Sequence, residues 1–232
     1  INGVPVGIAI PLGILVSILC SLFVGACSIL FRAPAFIISL ATIGIFQGIA
    51  LAFTQGTLQT IYGEFEYIGA TRIAGFLPLL FLISIVVYII IHFILQKTKL
   101  GRRVFAIGNN KRAAYLSGIK IKTNIMVFFL ISGLCCGVAS MMLLSRVGAV
   151  LPPTGSGTEL KALGAAVIGG TPMDGGKGKI IGTFFGVLLM GVISNVLNQL
   201  QVNAYLQDVV FGALLLMALG ISRLRYRNVA AI

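Results

Sequence analysis

The side chains able to do chemistry in this chain are few, and most of them interrupt long apolar stretches. Thr42 and Gln47 stand in one such stretch, and Ser194, Asn195, Asn198 and Gln199 in another. Polar groups are costly inside a lipid-spanning segment, so each is a candidate for function. Asn195, Asn198 and Gln199 are spaced three and four apart and share one helical face. Their amides suit a path for a hydroxyl-rich solute, and they equally suit hydrogen bonding between helices. Glu159 opens a short apolar piece that ends at Gly169-Gly170, with Asp174, Gly175 and Gly176 just beyond it. A carboxylate at a helix N-terminus is stabilised by the helix dipole, which is reason enough for Glu159. His92 has no partner ligands nearby and reads as an interfacial residue. Cys20, Cys27, Cys135 and Cys136 lie in apolar runs, with neither metal-ligand spacing nor a disulfide framework. No Ser/His/Asp set, HExxH pattern or catalytic carboxylate pair is visible, which argues against a membrane enzyme.

The stretch GGTPMDGGKGK, residues 169–179, invites comparison with a phosphate-binding loop and does not fit it. That loop needs Gly, four residues, then Gly-Lys-Ser/Thr. Ahead of Gly176-Lys177 the first position is Thr171, and the last is Gly178. The chain is therefore expected to hydrolyse no ATP itself and to hold neither cofactor nor metal.

The elements that must position these residues follow from composition. The chain is 58% hydrophobic and 9% charged, with a mean hydropathy of +1.08 and no Trp. Apolar runs of about 18 residues or more can cross a hydrocarbon layer roughly 30 Å thick. They fall at 6–30, 35–53, 78–96, 123–144, 180–199 and 205–221, with a shorter piece at 159–170. The fold expected is an all-α polytopic bundle of about six full spans plus one broken or half helix. It forms a single transmembrane domain over 1–232. Irregular backbone after the half helix survives at membrane depth only where protein or water covers it, and broken helices of this kind accompany transport pathways.

The formal charge of +12 would suggest nucleic acid in a soluble chain. Here it reports orientation, because Lys and Arg are enriched in cytoplasmic loops. Residues 97–122 hold Lys97, Lys99, Arg102, Arg103, Lys111, Arg112, Lys120 and Lys122 and no acid. Placing this segment inside, with the tail carrying Arg223, Arg225 and Arg227, puts Arg32 inside by alternation, and Lys177 and Lys179 too only if 159–170 crosses. The polar 54–77 loop with Glu64 and Glu66, and the 145–158 loop, then lie outside. The chain opens on Ile1, with no basic n-region ahead of an apolar h-region. It is expected to be a fragment whose upstream helices, odd in number if the complete N-terminus is cytoplasmic, are missing. Three GxxxG pairs, Gly44/Gly48, Gly133/Gly137 and Gly182/Gly186, are expected to serve helix packing.

The basic segment TKLGRRVFAIGNNKRAAYLSGIK reads as a tight turn at Gly101, then charge, then a short helix over Arg112–Leu116 ended by Gly118. Ala113 and Ala114 are expected to give that helix a flat surface for docking into a groove of another protein.

This segment resembles the coupling loop of bacterial ABC-transporter permeases, in which an acid, two alanines, three variable residues and a glycine follow in order. Here the run is Arg112-Ala113-Ala114-Tyr115-Leu116-Ser117-Gly118, with Arg112 in the acidic place. GRRVFAIGNNKRAAYLSGI and SRVGAVLPPTGSGTELKALGAAVIGGTPMDGGKGKIIGT are similar to the ribose-type sugar permeases of the branched-chain amino acid/ribose permease superfamily. FRAPAFIISLATIGIFQGIAL is similar too. An N-terminal Asp-Leu-Ser-Val-Gly-like segment usual in these permeases is absent. The resemblance implies an importer in the bacterial cytoplasmic membrane. Two permease subunits would form the path, and an external sugar-binding protein would deliver solute. Two cytoplasmic ATPases would bind ATP and Mg and dock on the loop, through Gly101, Arg102, Arg103, Arg112, Ala113, Ala114 and Gly118.

Overall fold

The structure, a computed structural model, describes residues 6–60, 65–73, 75, 77–173 and 175–230, the side chains at 6, 66 and 221–230 excepted. Glu64 and Asp174 therefore lie outside the described residues. The helices are α1 (Val6–Phe31), α2 (Ala35–Thr54), α3 (Glu66–Ala70), α4 (Leu79–Lys97), α5 (Lys99–Asn109), α6 (Lys111–Leu116), α7 (Ile121–Val147), α8 (Thr158–Ile168), α9 (Ile180–Gln199) and α10 (Ala204–Ala230). Four two-residue strands join them: β1 (Gln59–Thr60), β2 (Arg72–Ile73), β3 (Leu77–Pro78) and β4 (Ala149–Val150). Among the described residues α1, α2, α4, α7 and α9 are long and apolar enough to cross a membrane, and α10 adds a shorter apolar part, Ala204–Gly220. Each expected run thus becomes a helix. In hydrocarbon a helix satisfies every peptide group within its own segment, which leaves this as the one open-chain solution. The break after α1 is made by Arg32, in the left-handed region at φ 53°, and by Pro34 at the start of α2. Leu19, Phe53, Phe185 and Leu216 are among the large apolar side chains left exposed on the helix flanks, as a lipid-facing surface requires.

The chain divides into two compact units. The first comprises Ile1–Ile89 and Lys120–Thr154. In it α1 and α7 run antiparallel, with Gly13 against Met141 and Gly25 against Phe129. Between these points a Cβ on Gly133 would lie 2.8 Å from the Ile18 Cα, and one on Gly137 3.0 Å from the Ile14 Cα. The two glycines therefore set how closely the helices approach. Ser17 donates to the Gly133 carbonyl at 2.9 Å and Ser21 to the Phe129 carbonyl at 2.6 Å. Small residues with hydroxyl donors are how helices associate where lipid removes the hydrophobic drive. Phe23 meets Phe46 edge-on at 6.1 Å, joining α2 to α1. A Cβ on Gly44 or Gly48 would meet nothing within 4 Å among the described residues.

At one end of this unit the described residues of the 54–77 loop include three short strands and the helix α3. β1 pairs antiparallel with β4, Gln59 opposite Val150, and β2 with β3 in a small hairpin. Gly69 of α3 abuts the Ser145–Arg146 backbone, and the buried Ser145 hydroxyl donates to the Phe65 carbonyl at 2.6 Å. The 54–77 segment and the residues after α7 are thus tied together.

The second unit comprises Ile90–Ile119 and Gly155–Ile232. Its α8 has 11 residues and reaches about 16 Å, half a bilayer core. Gly170, at φ +86°, ends it: its N–H donates to the Val167 carbonyl at 2.9 Å and Thr171 N–H to the Ala166 carbonyl at 3.0 Å. This paired closure is the Schellman motif, and glycine holds the left-handed position without strain. α9 packs antiparallel on α8 through Gly169 against Gly182 and Thr183, and Gly186 against Ala165. α10 runs parallel to α8, with Lys161 over the Phe211 ring and Leu215 near Gly164. Ala165, Met190 and Phe211 are the buried core, and Ile193, Leu197 and Leu214 pack against it.

Replacing Gly133 by Val should force α1 and α7 apart, at about 1–3 kcal/mol for overpacking. Gly44→Val should be neutral. Thermal unfolding of the detergent-purified complete protein checks this: only Gly133→Val should lower the transition, and equal transitions would contradict the packing account.

Candidate functional site

One end of the second unit collects the basic segment and the glycine loop. Thr98, not Gly101, is where the chain turns from α4 into α5. Its hydroxyl donates to the Ile94 carbonyl at 2.5 Å and caps the next helix, accepting from Gly101 N–H at 3.4 Å. Gly101 is buried within the first turn of α5, correcting the expected tight turn. It is small because the last turn of α4 passes over it: a Cβ there would fall on the Leu95 carbonyl and 2.6 Å from the Leu95 Cα. Arg102 and Arg103 are exposed, whereas Gly101, Val104, Ile107 and Gly108 turn inward. That is the 3.6-residue period of an amphipathic helix.

Asn110 ends α5 and starts α6. Its N–H donates to the Ala106 carbonyl at 3.2 Å, while its side-chain oxygen accepts from Ala113 N–H at 3.0 Å. After six helical residues and Ser117 the helix closes as expected at Gly118, φ +78°. Gly118 N–H donates to the Tyr115 carbonyl at 2.9 Å, and Ile119 N–H to the Ala114 carbonyl at 3.1 Å. The expected flat face of two alanines is corrected. Ala114 is 4% exposed and faces inward, and Ala113 points out. The surface of α6 consists instead of Lys111, Arg112 and Ala113 with Tyr115 and Leu116, which are 70% and 79% exposed. Two large apolar side chains beside two cations fit a partner's surface better than water.

The opposite end of the unit is polar. The start of α8, the end of α9 and the start of α10 meet there. Asn195, Asn198 and Gln199 are all exposed on α9, on one face, and Asn198 accepts from the Gln207 amide at 2.9 Å. Glu159 is exposed in the first turn of α8. Two residues on, the Lys161 ammonium lies 4.5 Å from the centre of the Phe211 ring, a cation–π contact. Asp208 comes near Gly157, whose Cβ would be 3.7 Å from its carboxylate. Thr42 and Gln47 belong to α2 in the first unit. The Thr42 hydroxyl is buried and donates back to the Ile38 and Ser39 carbonyls at 3.0 and 2.9 Å; Gln47 is half-buried. Of the broken-helix residues, Gly169 and Gly170 end α8, Gly175 and Gly176 lie against α5, and Asp174 is outside the described residues.

Lys161, Gln207 and Asn110 were missed as candidates. Asn110 carried a readable signal, an Asn one residue ahead of a helix-forming run. Lys161 carried one as well, being a cation within an apolar half helix. Its ring partner lies on another helix, at a distance no local spacing reveals.

Asn110→Ala should remove the cap of α6 at about 1 kcal/mol, speeding amide exchange at Ala113 and Ala114 about fivefold. Asn110→Asp should preserve slow exchange. Exchange rates measured by mass spectrometry on the complete protein check this, and equal rates in both variants would contradict it.

Comparison with known proteins follows the same lines. Residues 2–219 match the family described as branched-chain amino acid transport system / permease component. The chain is similar to the D-allose transport system permease protein AlsC of Escherichia coli K12, 41% identical over 192 residues, covering 82% of this chain and 58% of that protein. The ribose import permease protein RbsC of Bacillus subtilis is 37% identical over 196 residues, covering 83% and 60%. The L-arabinose transport system permease protein AraH of E. coli K12 is 34% identical over 197 residues, covering 84% and 60%. The chain spans about 60% of the length of these curated relatives. No solved structure gives a significant match. With its membrane-length helices, it is a multi-pass inner-membrane protein. The chain therefore belongs to the branched-chain amino acid transport system permease-component family, on its ribose-type sugar-permease side.

Proposed function

We propose that this chain is the membrane-spanning, translocating part of an ATP-driven, binding-protein-dependent importer for a monosaccharide. The observation that carries the reading is α6: a capped, six-residue helix that exposes Tyr115 and Leu116 together with Lys111 and Arg112. Such a helix suits a groove on a cytoplasmic ATPase subunit, which would bind the ATP and Mg. Arg112 replaces the acid of the family pattern, so the groove that receives it offers acids rather than bases. The relatives named for D-allose, ribose and L-arabinose support a monosaccharide as the solute.

The polar end of the second unit is assigned to the solute path. Asn195, Asn198 and Gln199, with Gln207, offer both donors and acceptors to sugar hydroxyls. Glu159 and Lys161 add charge where α8 begins. The polar end then faces the external sugar-binding protein, and the α5–α6 end faces the cytoplasm. Closure of two ATPases moves α6 on each of two permease subunits and shifts the path between outward- and inward-open states.

Leu116→Asp in the complete protein, co-expressed with its cognate ATPase, should abolish co-purification of that ATPase while leaving the protein in the membrane. Arg112→Glu should weaken it. An ATPase that co-purifies equally with Leu116→Asp would overturn the docking assignment.

A further inference from the structure

α5 meets the glycine loop that follows α8 mainly through backbone, with the Asn109 side-chain oxygen 2.6 Å from where a Cβ on Gly176 would lie. A Cβ on Gly108 would fall on the Gly176 nitrogen and 2.7 Å from the Gly176 Cα. One on Gly176 would lie 2.7 Å from the Asn109 nitrogen and 2.9 Å from its Cα. Gly175 completes the contact, its Cβ position 3.7 Å from the Gly108 Cα. No side chain can be added at Gly108 or Gly176 unless one backbone moves.

The same kind of contact continues on either side. Toward the membrane, a Cβ on Gly178 would be 2.8 Å from the Thr171 hydroxyl, which itself lies 3.5 Å from that of Thr183. Gly169 then packs on Gly182 and Thr183, and Gly186 on Ala165. Toward α6, Asn110 ends one helix and caps the next, and Gly101 fixes the other end of α5 against Leu95. α5 is thus held at both ends by backbone contacts, and close-packed interfaces pass strain on rather than deform smoothly.

We propose that Gly108 and Gly176 are positioning residues for transport: their contact carries a displacement of α6 into the loop after α8, and so to α8 and α9. The inference rests on α6 being the ATPase docking helix. It explains why α8 stops short. A half helix gripped at Gly169 and moved there moves its other end, where Glu159 and Lys161 stand.

The test uses the complete protein reconstituted with its ATPase and solute-binding protein. Gly108→Ala and Gly176→Ala wedge the joint. A Gly-Ser insertion between Pro172 and the exposed Met173 slackens the loop without a clash and reports even where the alanine variants fail to assemble. Gly191→Ala, in open space on α9, is the control. ATPase binding and hydrolysis should persist in the insertion variant, with solute moved per ATP falling about tenfold, within the range of coupling between distant sites. Unchanged solute per ATP in the insertion variant, or in an assembled Gly108→Ala, overturns the joint alone. An ATPase that does not bind the unmodified protein overturns the docking assignment, and the joint with it.

Discussion

Peptide groups inside a bilayer have no water to turn to, so helices there must satisfy themselves and meet through what little side chain they leave out. Both units of this chain are organised by that constraint. In the first, Gly133 and Gly137 let α7 lie directly on α1, with Ser17 and Ser21 donating across the gap. In the second, glycines at 169, 182 and 186 bring α8 onto α9, and glycines at 108 and 176 bring α5 onto the loop between those helices. Without these close approaches there is little else to hold the second unit, whose buried core is Ala165, Met190 and Phe211.

A consequence is that the two ends of the second unit differ in kind. At one end irregular backbone is closed by glycine and packed against an amphipathic helix that carries the exposed α6. At the other, amides and charges face outward from α8, α9 and α10. α8, α9 and α10 run between them, one of the three being only half a span. A permease needs such an arrangement: a polar face that solutes can reach, a surface that another protein can grip, and stiff elements that connect the two.

Much of this was legible in the sequence, for physical reasons. The apolar runs begin within about two residues of the helices, because lipid removes the competition that blurs helix boundaries in water, while α7 and α10 continue past the ends of their runs. The ends of α6 and α8 were readable because Gly118 and Gly170 sit where only a left-handed residue closes the carbonyls. α5 was misread because Gly101-Arg102-Arg103 looks like a turn when Leu95, which packs on that glycine, is ignored. The period of Leu100, Val104 and Ile107 held the correct answer. Which of Ala113 and Ala114 faces inward, which GxxxG pair finds a partner and what Lys161 lies against all depend on other helices. The pairing of Gln59–Thr60 with Ala149–Val150 is likewise nonlocal: two-residue strands carry almost no signal of their own.

The measurement closest to the central claim is transport by the reconstituted complete protein, with ATP confined to the side that α6 faces. Labelled monosaccharide should accumulate above equilibrium only when hydrolysable ATP, the ATPase and the solute-binding protein are all present. Downhill equilibration of the sugar through the protein alone, without ATPase or ATP, would contradict the account and mark the chain as a facilitator.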